Sequence, residues 1–103
     1  MPYALRKLAE ADLEAEAAAA WYEQQKPGLG FDFLEQVDEA IKVLPQNPFR
    51  HGLRFGDVRR APVHRFKSYG IYYFVQHDQI VIISVFDDRR DPDRLRQRRK
   101  QAD

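Results

Sequence analysis

From Ala9 the chain reads AEADLEAEAAAAWYEQQ, a run of strong helix formers in which Leu13, Ala17, Ala20, Trp21 and Gln24 recur at helical spacing. That stripe predicts a helix with Trp21 in the core. The alanines at 17–20 are small enough to let a second helix approach closely. KPGLG at 26–30 ends the helix, because Pro27 disfavours helical geometry at Lys26 and two glycines follow. In FDFLEQVDEAIKVLPQNP, Phe33, Val37, Ala40, Ile41 and Leu44 form one stripe, with the charged residues off it. Pro45 and Pro48 close that segment. Residues 9–47 therefore read as a helical hairpin joined by a short Gly/Pro turn, preceded by a short strand over Tyr3–Lys7.

Beyond a loop at 49–57 the periodicity changes. VRRAPVHRF reads as a strand that Pro62, which cannot donate to a ladder, limits to an edge or a bulge. SYGIYYFVQHDQIVIISVF reads as two strands, 69–76 and 79–87, turning at His77 and Asp78. That turn places Val75 opposite Ile80, Tyr73 opposite Ile82 and Ile71 opposite Ser84 on one side. On the other side are Phe74 with Val81, Tyr72 with Ile83 and Gly70 with Val85. Both sides are apolar, whereas a sheet with one wet face alternates apolar with polar. Two paired helices cover one side only. The second, carrying Tyr72, Phe74, Val81 and Ile83, is expected to meet a partner unless the basic tail or the first helix folds over it.

Composition narrows the classes. A chain of 103 residues supports a single domain, and 44% hydrophobic with 32% charged residues indicates a globular one. The most apolar stretch, Ile80 to Phe86, is far shorter than the roughly 20 residues of a membrane helix. No leader pattern follows Met1 and no cysteine is present, so a cytoplasmic protein without disulfides is expected. Charge is divided unevenly. Residues 1–48 carry four Lys/Arg against nine Asp/Glu, and residues 49–103 carry thirteen against seven, so the formal net charge of +1 hides an acidic and a basic half.

Little of this spells chemistry. His51, His64 and His77 lack metal-ligand spacing, no phosphate-binding glycine loop occurs, and neither serine sits in a nucleophile elbow. Neither metal nor cofactor is expected. One constellation is suggestive. Metal-free RNA cleavage needs a base, phosphate-binding cations and an acid, and His64, Arg65, Tyr72 and Arg89 are of the right types.

WYEQQKPGLGFDF preceded by Asp12-Leu13, then VRRAPVHRFKSYGIYYFV, and finally RRDP at 89–92, together resemble the ParE branch of the ParE/RelE toxin superfamily over about residues 3–98. The resemblance implies an α+β domain of order β-α-α-β-β-β, its helical hairpin packed on one face of a small antiparallel sheet. It implies a toxin neutralised by a ParD-like antitoxin in a hetero-oligomer, with DNA gyrase as target and DNA contacted only through the antitoxin. A RelE-like ribosome-dependent mRNA endonuclease is the alternative. Family members often carry a histidine just before RRDP. Here that stretch is Asp87-Asp88, and two carboxylates repel an RNA backbone. Arg89 and Arg90 are thus expected to bind a partner, as are Tyr72, Phe74, Val81 and Ile83. The toxin domain is taken as residues 1–93, with 94–103 a mobile basic tail.

Overall fold

A computed structural model of the chain describes residues 3–102. Strand β1 (Ala4–Lys7) leads into helices α1 (Ala9–Gln25) and α2 (Leu29–Lys42) and a 3₁₀ turn at Leu44–Gln46. Strands β2 (Leu53–Phe55), β3 (Val58–Pro62), β4 (Tyr69–Gln76) and β5 (Gln79–Asp87) follow, and α3 (Asp93–Gln101) is the last element among the described residues. The sheet order is β1-β5-β4-β3-β2. The expected α+β architecture is present, with three differences. β1 runs parallel to β5, so the sheet is mixed. The loop read at 49–57 contains β2, a short edge strand paired to β3. The tail expected to be mobile is a helix.

α2 buries the stripe that its periodicity predicts, Phe33, Val37 and Ile41, with Leu44 just beyond it. α1 does not. Its buried residues are Ala11, Ala15, Ala18 and Ala19, whereas Leu13 is 63% and Trp21 53% exposed, which corrects the placement of Trp21 in the core. The reason is the close approach of the two helices. A Cβ on Gly30 would lie only 2.4 Å from the Ala19 carbonyl oxygen, so a glycine on α2 faces the alanine side of α1. A tryptophan has no room in that seam. Glu23 holds the junction by accepting hydrogen bonds from the amides of Gly28 (2.9 Å) and Gly30 (3.0 Å) at the start of α2.

The β4–β5 pairing follows the predicted register from the turn as far as Tyr73 with Ile82. There a bulge intervenes: Tyr72 pairs with Ser84, Ile71 with Val85 and Gly70 with Phe86, leaving Ile83 as the extra residue. The three pairs predicted beyond Tyr73 are each displaced by one. The bulge also shifts which residues share a face. Ile80, Ile82 and Val85 join the helical-hairpin core, while Val81, Ile83 and Phe86 join a second cluster.

That second cluster, Val58, Tyr72, Phe74, Val81, Ile83 and Phe86, is covered by Leu95 and Ala102 of the C-terminal segment. The face expected to be bare is therefore buried in the isolated chain. One leucine and one alanine suffice because arginines complete the cover. The Arg99 guanidinium lies 3.7 Å from the Phe74 ring centroid and is forked onto Asp57 at 2.9 Å, and Arg96 lies over Phe55.

Candidate partner-binding cleft

The charged knot after β5 is first a turn. Asp87, buried at the strand end, accepts from Arg89 Nε (2.9 Å) and Nη2 (2.8 Å) and from the Arg89 amide (3.0 Å). These hydrogen bonds, foremost the guanidinium's, hold the Asp87 carboxyl below its ordinary 3.8 against the opposing effect of burial. Asp88 receives the Tyr72 hydroxyl and an ion pair from Arg60 at 2.7 Å. Asp91 accepts the Asp93 amide at 2.9 Å as α3 begins after Pro92. Each aspartate thus has a structural duty. Arg60 lies flat on the sheet, its Nε 2.4 Å from where a Gly70 Cβ would be, so that close approach requires glycine there.

Beside the knot opens a cleft of about 570 Å³. Its apolar wall is α1, with Leu13, Ala17 and Trp21 of the outer face and the buried Ala18, and its floor is Tyr69 with Val85, Phe86 and Asp87 from β5. Arg89, Arg90 and Arg94 form the opposite wall, and Glu14 is also among the lining residues. The cleft joins exposed apolar surface to a concentration of positive charge, a combination suited to an amphipathic acidic segment. Burial raises the pKa of both Tyr69 and Tyr22, with Arg89 pulling each back.

Of the sequence-predicted site residues, only Arg89 and Arg90 line this cleft. Tyr72, Phe74, Val81 and Ile83 lie together but beneath α3. The residues considered for RNA cleavage are dispersed. His64 and Arg65 sit exposed in the β3–β4 connection, where Arg65 pairs with Asp32 at 3.6 Å. Tyr72 is on the covered face. Its hydroxyl is pushed up to about 12, by burial first and by its hydrogen bond to Asp88 second, so it stays protonated and occupied. Arg89 is on the cleft side, engaged by Asp87. No base–acid–cation set is assembled from these four.

Leu13, Ala17 and Trp21 were missed as surface residues, yet a signal for them exists. α1 carries two apolar stripes, the alanines 11, 15, 18 and 19 and the set 13, 17, 20 and 21. One helix of a hairpin cannot bury both against a single partner. The larger residues belong to the wider, still open side.

Comparison with known proteins bears on the family directly. No curated protein matches the chain. A solved structure described as a chromosomal ParDE toxin–antitoxin system from P. aeruginosa superposes with a TM-score of 0.74 at 17% identity, covering 82% of this chain and 95% of that one. At that identity the likeness establishes the shared fold. The family model for the ParE toxin of the type II toxin–antitoxin system parDE matches residues 3–92, nearly the whole domain. The chain belongs to the ParE toxin family of type II toxin–antitoxin systems.

Proposed function

We propose that the chain is a non-enzymatic toxin that acts by binding DNA gyrase and is neutralised by a ParD-like antitoxin seated in the cleft beside α1. Family membership already implies a ParD antitoxin as partner. The observation that carries the docking site is the cleft itself. Leu13 and Trp21 stand exposed on one wall, while Arg89, Arg90 and Arg94 stand on the other. An acidic, amphipathic antitoxin segment satisfies both walls at once.

Action by binding is supported by the dispersal of His64, Arg65, Tyr72 and Arg89. Gyrase as the target rests on resemblance to the ParE branch. Purified protein should block supercoiling by gyrase, or accumulate its cleaved-DNA complex, and leave a reporter mRNA intact in a parallel translation reaction. Ribosome-dependent cuts in that mRNA, abolished by His64→Ala, would replace this reading with the endonuclease one.

A further inference from the structure

The floor of the cleft is half of a strand edge. β5 is paired to β4 along its whole length, but on its other side β1 reaches only from Gln79 to Ile82. β1 stops there because the chain turns into α1. The last β-type bond on that side is from the Leu8 amide to the Ile82 carbonyl, at 3.0 Å. Residues 83–87 of β5 therefore have a neighbouring strand on one side only. Such an edge presents unpaired backbone donors and acceptors.

Two side chains stand in for the missing strand. Glu14 of α1 accepts from the Val85 amide at 3.3 Å, and Arg98 of α3 donates to the Ile83 carbonyl at 2.8 Å. The two also bind each other, Arg98 Nη2 to Glu14 Oε2 at 3.2 Å, closing around the sheet edge from opposite faces. Past this clasp, Val85, Phe86 and Asp87 open into the cleft. In a strand, N–H and C=O of one residue point to the same side and alternate from residue to residue. The Val85 carbonyl and the Asp87 amide thus face the cleft with the Val85 amide. Ser84, Phe86 and Asp88 point the other way, towards β4, where the Asp88 amide donates to the Ser68 carbonyl at 2.7 Å.

We propose that the cleft takes an extended segment that adds to the open half of β5 as a strand, its apolar side chains against Ala17 and Trp21 alternating with acidic ones against Arg90 and Arg94. α1 packs on one face of the sheet and α3, which carries Arg94, on the other, so a strand between them meets apolar surface with one set of side chains and the Arg94 guanidinium with the other. This rests on the cleft being the antitoxin's docking site, and names the conformation and residue pattern of what docks.

The test uses the full chain, ¹⁵N-labelled, titrated with an end-blocked octapeptide alternating glutamate and valine. Controls are its block-ordered isomer and two versions N-methylated at either the odd or the even positions. Strand addition predicts saturable binding of the alternating peptide, with shifts at the Val85 and Asp87 amides and the Trp21 indole. Affinity should fall at least about tenfold for the block isomer, and one N-methylated version should lose binding while the other keeps it. Equal binding of all four peptides, a helical bound peptide, or no saturation at about millimolar concentration overturns the inference. Ala17→Glu, at an exposed helical position, separates the two readings in cells. If that variant is still neutralised by a co-expressed ParD-type antitoxin, the docking site is wrong and the strand with it. If neutralisation is lost but the N-methylation pattern is absent, only the strand is wrong.

Discussion

Arg98 and Glu14 are separated by 84 residues, yet the two side chains meet at 3.2 Å, and each also holds the bulged strand β5. Ser84, just past the bulge, donates its hydroxyl to the same Glu14 carboxylate at 2.7 Å. With side-chain exposures of 12% and 21%, the pair is largely withdrawn from solvent, unlike the Arg96–Asp93 pair at the outer surface of α3. It is the polar joint between the helical hairpin and the C-terminal helix.

Arg98→Ala should therefore lower stability by about 1.5–3 kcal/mol, since it strands a carboxylate and frees the Ile83 carbonyl. That corresponds to a fall in Tm on the order of 10 °C for a domain this small. A double-mutant cycle with Glu14→Gln, followed by thermal denaturation, should give clear coupling between the two sites. Additive effects would mean that the joint carries no mutual energy.

Trp21→Ala is expected to cost under about 1 kcal/mol of stability, because the side chain is 53% exposed and its ring meets that of Tyr22 edge-to-face at 5.1 Å. Antitoxin affinity should fall much further, by about 2–4 kcal/mol, as for an aromatic anchor at an interface. Melting and calorimetric titration on the same preparation measure both. A large loss of Tm with unchanged affinity would return Trp21 to a structural role.

Leu95→Ala tests the cover over the second face. Leu95 is 4% exposed and is packed with Tyr72, Phe74, Val81 and Ile83. Its truncation should cost about 2–4 kcal/mol. Because it loosens a lid above an apolar sheet face, it should also promote self-association, visible as a concentration-dependent species in analytical ultracentrifugation. A monomer of unchanged Tm would show that the arginines alone hold α3 in place.

Two aspartates set the acid limb. Asp87 and Asp57 have carboxyl groups held below the ordinary 3.8, chiefly by hydrogen bonds from Arg89 and Arg99 respectively. A depressed folded-state pKa adds stability above the unfolded value, and that increment is lost as pH falls below about 4 towards the folded one. Asp57→Asn and Asp87→Asn should each lower Tm at neutral pH yet flatten its decline over roughly pH 5 to 2.5. An unchanged acid limb in both variants would remove these pairs from the acid response.

The amino-acid sequence by itself determined the elements whose signal is local. The helical hairpin, the β4–β5 limits and the tight turn at His77-Asp78 follow from periodicity and from Pro and Gly breaks, which act within a few residues. The motifs that identify the family are equally local strings. That Arg89 and Arg90 turn outward was legible, because Pro92 prevents the ladder from continuing; that they line a cleft beside α1 was not. Which side of α1 is buried was decided by the tertiary structure alone. Both stripes are apolar, and only the close approach at Gly30 selects the alanines and releases Leu13 and Trp21. The bulge at Ile83 was likewise invisible, since a one-residue slip leaves the run VIISVF equally apolar on either register. The fate of residues 94–102 was hidden for a related reason. A segment with one leucine among arginines looks unable to bury itself, and it docks only because the sheet offers Phe74, Asp57 and the Glu14 carboxylate to receive those arginines. Those three groups are distant in sequence and come together only in the folded chain.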